Sequence, residues 1–180
     1  MTQTSSSRTV ASAVPPLPDV DTQINQYLTF VLGAETFAMG ILAIKEIIEY
    51  STLTEVPMMP ASVRGVINLR GSVVPVVDLS VRFGRTPAAV TKRTCIVIVE
   101  ISLNDTRQDV GVVVDAVNEV LEIPAEDIEP PPTFGTRIRT DFIQGMGKVN
   151  HRFVILLDVN QVLSLDELAE LAEQAEAPAA

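Results

Sequence analysis

Arg64-Gly65-Val66-Ile67-Asn68-Leu69-Arg70-Gly71-Ser72-Val73-Val74-Pro75-Val76-Val77-Asp78 is the stretch that decides the fold. Its Val- and Ile-rich runs, bounded by glycine and aspartate, read as strands over 65–69 and 72–77. Gly65 and Gly71 bracket the first run. Glycine in a strand pattern marks a bulge, a sharp bend or the close approach of another backbone. Between them stand Asn68, which both donates and accepts, and Arg70, a rigid fork of donors. Val66, Ile67 and Leu69 supply apolar surface beside them. Two polar side chains interrupting buried-strand sequence suit an anchor for a partner protein, built on a β-barrel.

The same texture extends in both directions. Short apolar runs separated by turn residues predict further strands over 26–32, 35–39, 47–55, 94–101, 109–114, 118–123, 143–149 and 151–157. Ten short strands suggest two small barrels. Three isoleucines, Ile41, Ile44 and Ile47, recur at a spacing of three, which predicts a helical turn over 41–47 with Glu46 beside them. A short helix over 79–83 would end at Gly84. An apolar stripe of Val162, Leu163, Leu165, Leu168 and Leu171, with Glu167, Glu170 and Glu173 opposite, predicts a helix over 159–174. The first 22 residues contain Ser5-Ser6-Ser7 and Pro15-Pro16-Leu17-Pro18 and offer little to bury, so they read as a disordered tail. A proline-rich docking ligand is the sharper alternative for that segment. The domain organisation expected is a tail over 1–22, an all-β domain over 23–165, and a helix end with an acidic, Ala-rich tail over 166–180.

Composition narrows the function. Hydrophobic residues make up 47% of the 180, enough for a sizeable core. Lys and Arg number 13 against 23 Asp and Glu, a net charge of −10, and no clustered basic stretch offers a footprint for nucleic acid. Cys95 is the single cysteine, so intrachain disulfides are excluded and a reducing compartment fits. No signal-peptide core is visible, and no apolar run approaches the roughly 20 residues that span a bilayer. The expectation is a soluble cytoplasmic protein.

The residues of catalysis do not assemble. His151, the only histidine, lies between Asn150 and Arg152 with no local carboxylate partner, so it reads as a solvated turn residue rather than a general base. Cys95 opens a hydrophobic strand and reads as a packed or groove-lining thiol. Asp158-Val159-Asn160-Gln161-Val162-Leu163 lacks the glycine of a calcium loop, and Gly145-Met146-Gly147 lacks the third glycine and the helix of a dinucleotide site. Asp78, Asp115 and Asp158 each follow an apolar run. Convergence on a metal is one reading; capping of turns or helices is the simpler one. No enzyme activity, metal or cofactor is expected, and function is sought in surfaces.

The opening stretch closely resembles the signature of the CheW-like chemotaxis coupling proteins. Matching stretches follow in the family's order: Leu32-Gly33-Ala34-Glu35-Thr36-Phe37-Ala38, Thr54-Glu55-Val56-Pro57, Val113-Val114-Asp115 with Glu119-Val120-Leu121, Ile128-Glu129-Pro130-Pro131-Pro132, and Ile155-Leu156-Leu157-Asp158. Together they span residues 26 to 163, which a single short motif would not do. The resemblance implies an all-β fold of two SH3-like five-stranded barrels around a shared core, with short helices and a C-terminal helix; the first strand would cross into the other barrel. It implies a non-enzymatic scaffold joining the cytoplasmic tip of a chemoreceptor to the histidine kinase CheA. Receptor-binding positions of the family carry over onto Ile41, Ile44, Glu46, Arg64, Gly65, Asn68, Arg70 and Cys95. The contact with the kinase regulatory domain carries over onto Glu129, Thr133 and Phe134. For Gly65 a bend, and for Phe134 a core position, are the structural alternatives. A second function remains open: the regulatory module of a CheA-type kinase, or of a coupling protein fused to a receiver domain. The termini read as natural ones, and the clustered acids and lysine of a receiver are missing, which favours the scaffold.

Overall fold

The computed structural model of the chain describes residues 25–87, 89–103, 105–131 and 140–164. Among the described residues eleven strands form two mixed sheets. In chain order they are β1 (Gln26–Leu32), β2 (Glu35–Gly40), β3 (Ile44–Glu49), β4 (Val63–Leu69), β5 (Ser72–Asp78), β6 (Cys95–Leu103), β7 (Thr106–Val114), β8 (Ala116–Glu122), β9 (Ile128–Glu129), β10 (Ile143–Val149) and β11 (Arg152–Leu157). Two short helices, α1 (Leu79–Arg82) and α2 (Val159–Val162), follow β5 and β11. One sheet has the order β3-β6-β7-β5-β4 and the other β8-β1-β2-β11-β10-β9.

The two sheets repeat one plan with the chain entering at different points. A hairpin (β4–β5 or β10–β11) leads into a helix, and the hairpin's second strand lies parallel to β7 or β2, respectively. Asp78 and Asp158 begin the two helices in the same way: each carboxylate accepts a backbone N–H of the first turn, Ser80 at 2.9 Å and Gln161 at 3.2 Å. In the second sheet the β1–β2 hairpin comes from the start of the chain, so the crossover expected from the resemblance is present. One sheet has five strands; the other gains a sixth, the two-residue β9.

Why the apolar runs are continuous rather than alternating follows from the layering. Side chains of a strand alternate between faces, and both faces of the central strands are buried. Ile96 and Ile98 of β6 join Val74, Val76 and Val113 in the core of the first barrel. Their neighbours Val97 and Val99 join Leu28, Phe30, Phe37 and Met39 in a larger cluster shared by both sheets. Tyr27, Ala38, Ile123, Val154 and Leu156 fill the second barrel. Four phenylalanines run through the shared cluster, with successive ring centroids of Phe30, Phe37, Phe83 and Phe142 at 6.0, 5.6 and 5.9 Å.

Several expectations need correction. The helical turn over 41–47 is a 3-10 turn of three residues, Ile41–Ala43; from Ile44 the chain is strand. Ile44, Ile47 and Ile48 are β-branched and pair with Val99, Val97 and Ile96 of β6, and this pairing outweighs the three-residue spacing. The strand over 47–55 therefore starts earlier and stops at Glu49; beyond it only Thr54 bridges to Val66. The helix over 159–174 stops at Val162, with Leu163 at φ −106° and ψ 32°, and its continuation from residue 165 falls outside the described residues. So does the expected tail over 1–22.

Candidate functional site: the β3–β4 seam

The first barrel closes where its edge strands β3 and β4 meet. These strands share no backbone ladder, so side chains and one bridge join them. At one end the Tyr50 hydroxyl accepts from Arg64 Nη1 at 3.2 Å, and the Arg64 guanidinium lies 5.7 Å from the Tyr50 ring centroid. At the other end Arg70 Nη2 and Glu46 Oε2 are 2.5 Å apart. Between them, Thr54 and Val66 exchange backbone hydrogen bonds of 3.0 and 2.8 Å. Arg64 lies near the start of β4 and Arg70 just past its end, six residues on, hence about 20 Å away.

This separation splits the sequence-derived residues into two groups. Arg64 and Gly65 are structural in their contacts. Arg64 Nε lies 2.9 Å from Asp78 Oδ2, a carboxylate with 0% side-chain exposure. Gly65 has a φ of +156°, and a Cβ there would stand 2.5 Å from the Thr54 carbonyl oxygen. The bend foreseen for this glycine is real: β4 has a bulge between Val63 and Gly65, and the Thr54 segment crosses against it.

Asn68, Arg70 and Glu46 form the second group, at the exposed tip. Arg70 and Gly71 make the two-residue turn between β4 and β5, with φ of 52° and 86°. Positive φ at both positions is the hairpin geometry that suits Asn-Gly or Gly-Gly, so an arginine here is held against its own preference. Two contacts hold it. Asn68 Oδ1 accepts the Gly71 N–H at 3.0 Å, and Glu46 pairs with the guanidinium. The Arg70 side chain is nonetheless 74% exposed. Glu46, by hydrogen bond first and charge second, holds the guanidinium protonated even more firmly than usual.

Apolar surface adjoins this tip. Ile41 and Ile44 are half-buried and rest on the shared core cluster. Ile47 and Val73 were not among the expected contacts, yet they are 43% and 64% exposed, and Val73 pairs across the hairpin with Asn68. Strand alternation was the available signal: Val73 belongs to the face opposite to Val74 and Val76, which fill the barrel. Cys95 is opposite Glu49, at the far end of β3 from Glu46. It packs against the shared cluster, and its thiol donates to the Arg93 carbonyl at 3.3 Å. Burial first, and the Glu49 carboxylate second, push its pKa up. A raised pKa disfavours the thiolate and so does not suit a nucleophile.

Of the kinase-contact residues, Glu129 is exposed on β9 at the edge of the second sheet. Thr133 and Phe134 lie outside the described residues. His151 is exposed in the β10–β11 turn with a φ of 64°. Asp115, the third strand-ending aspartate, accepts the Gly33 N–H at 2.7 Å and so ties a turn. Among the described residues no group of three or more His, Cys, Asp or Glu side chains has metal-binding geometry, and no helix is long and apolar enough to cross a membrane.

Two barrels around a common core, with a polar tip and flanking apolar surface at the seam of one of them, define a small protein-interaction module. Comparison with known proteins specifies which. Residues 26–167 match the CheW-like domain. The chemotaxis protein CheW of Klebsiella aerogenes is 36% identical over 144 residues, covering 80% of this chain and 84% of that protein. CheW of Helicobacter pylori is 35% identical over 145 residues, with coverage of 80% and 84%. The crystal structure of the scaffolding protein TtCheW from Thermoanaerobacter tengcongensis superposes with a TM-score of 0.70 at 34% identity, covering 82% of this chain and 89% of that one. The chain belongs to the CheW-like family, and its function is that of a chemotaxis coupling scaffold.

Proposed function

We propose that this chain binds the cytoplasmic tip of a chemoreceptor through the β3–β4 seam of its first barrel and the regulatory domain of the kinase CheA through the second, with no chemistry of its own, in the cytoplasm. The observation that carries the receptor half is the exposed Arg70, fixed by Glu46 and the Asn68 turn beside Ile41, Ile44 and the exposed Ile47 and Val73. An amphipathic receptor helix needs both kinds of contact: an apolar strip for its buried face and an oriented charge to set its register. Arg64 and Gly65 act in this reading by holding the seam in shape, and Cys95 marks its far end. The kinase half rests on the family resemblance at Glu129, Thr133 and Phe134, with Glu129 exposed on β9, the last described strand of its sheet.

Reconstitution of receptor, kinase and this chain tests the reading. Receptor-controlled kinase activity is expected only when all three are present, with the chain itself unphosphorylated and inert toward ATP. Stoichiometric transfer of phosphate to the chain, or control of the kinase without it, would contradict the proposal.

A further inference from the structure

The β10–β11 hairpin repeats the design of the β4–β5 hairpin that carries Arg70. Leading back from the β4–β5 turn, Leu69 is opposite Ser72, Asn68 opposite Val73 and Ile67 opposite Val74. In β10–β11 the same places are taken by Val149 and Arg152, Lys148 and Phe153, and Gly147 and Val154. Asn150 and His151 therefore stand where Arg70 and Gly71 stand, with φ of 49° and 64° against 52° and 86°. Val74 and Val154 fill their own barrels, whereas Val77 and Leu157 belong to the core shared by both sheets. By strand alternation Val73 and Phe153 continue that shared-core face beyond the core itself. Both are left in water, at 64% and 53% exposure.

Phe153 differs from the other described phenylalanines, Phe30, Phe37, Phe83 and Phe142, all of which are buried. A ring left in solvent adds little to the fold, and aromatic side chains are the ones that anchor protein contacts. The side chains around it are hydrogen-bond donors. Lys148 is directly across the hairpin, His151 fills the turn position that glycine suits best, and Arg152 follows at the end of the strand, all exposed. Lys45, Arg64, Arg70, Arg85 and Arg107 each meet a carboxylate. Lys148 and Arg152 meet none among the described residues. On a chain of net charge −10 this hairpin is a cationic, aromatic tip without a counter-charge of its own.

That chemistry selects the occupant. Nucleic acid and anionic bilayers carry dense negative charge, which a body of net charge −10 repels and two cations do not outweigh. A short protein segment asks for less: its carboxylates meet Lys148 and Arg152, and an apolar side chain between them meets Phe153. We propose that the β10–β11 tip is a second docking surface, built to the plan of the Arg70 tip, and that it receives an acidic segment of a partner protein with an aliphatic or aromatic side chain among its carboxylates. The surface stands whether or not the first tip binds a receptor. Glu129 pairs with Met146, two residues along β10 from Lys148, so a partner on the tip lies next to the kinase-contact position.

Amide NMR shifts of the full chain, titrated with a peptide repeating Glu-Glu-Leu, provide the test. Saturable shifts centred on residues 148–153 are expected, absent with a Gln-Gln-Leu peptide and with affinity weakened about tenfold in Lys148→Glu and in Phe153→Ser, the scale of an interface anchor. Both side chains are exposed, so the two variants should keep the Tm of the parent. Shifts elsewhere or none, equal binding of the Gln-Gln-Leu peptide, or parent-like affinity in either variant would overturn the proposal. Phosphatidylserine vesicles should leave the hairpin amides unmoved; an effect that Lys148→Glu abolishes would assign the tip to a membrane and overturn it too. Hairpin shifts that change on dilution of the chain alone would assign it to a second copy. Shifts that change without peptide in the full-length variant Glu167→Gln, Glu170→Gln, Glu173→Gln would assign it to the chain's own acidic end, and either result overturns a partner protein as the occupant.

Discussion

Arg64, on β4, and Arg70, six residues on in the turn that follows it, have opposite fates. Arg64 is held by the fully buried carboxylate of Asp78 and by Tyr50, so removing it takes the neighbouring cation away from a buried charge. Arg64→Ala should cost about 3 kcal/mol in chemical denaturation, the scale for breaking a buried pair; a loss below about 1 kcal/mol would show that water reaches Asp78. Arg70 sits in a left-handed conformation that asparagine tolerates better. Arg70→Asn should therefore raise Tm by about 2–4 °C even though the exposed ion pair with Glu46 is lost, since such pairs contribute little. A fall in Tm would mean that the Glu46 contact closes the seam. Cys95 adds a pH dependence. Its pKa is raised in the folded chain, so the stabilisation it gives is complete below the unfolded thiol value and fades as pH climbs through the folded one; unfolding followed from pH 7 to 10 should show that decline, and Cys95→Ser should reduce it. The family resemblance carried both arginines over as docking positions, while the residue pattern itself pointed only to Arg70. Only the fold separates them, because the β4–β5 hairpin folds Asp78, the last residue of the same stretch, back onto Arg64, and Tyr50 reaches it from outside that stretch.

At the scale of elements, legibility followed local signals. The strands 26–32 and 143–149 match their observed bounds because each is closed by turn residues and carries its own apolar pattern. α1 was visible from the Asp78 cap and Gly84, which has a φ of 83°. The region from 41 to 55 was misread because its isoleucine spacing satisfies a helix as well as a strand, and the choice is made by β6, about fifty residues away. β9 escaped notice because two residues carry no period. The seam depends most on Gly65, whose missing side chain lets the Thr54 segment cross. Gly65→Ala combines a forbidden backbone angle with a backbone collision and should cost about 2–4 kcal/mol, together with faster exchange of the Thr54 and Val66 amides. Unchanged exchange there would show that the seam closes without this bridge.

At the scale of the molecule, the shared core explains the double burial of the central strands. The repetition of one plan in two sheets was not visible as a sequence repeat, because the N-terminal hairpin completes the second sheet. The family resemblance gave the two barrels; hydrophobic periodicity alone stops at an all-β chain. Of the site, the Asn68–Arg70 tip was legible from polar residues in a buried-strand pattern, while Ile47 and Val73 needed the register to show that they face outward. The central claim is that this tip recognises a receptor rather than merely holding the barrel together. Measuring receptor-tip affinity and thermal unfolding on the parent and Arg70→Ala tests it most directly. The expected result is a roughly ten- to hundredfold weaker affinity at nearly unchanged Tm, the behaviour of an interface hot spot. Undiminished binding by Arg70→Ala, or its unfolding, would contradict the account.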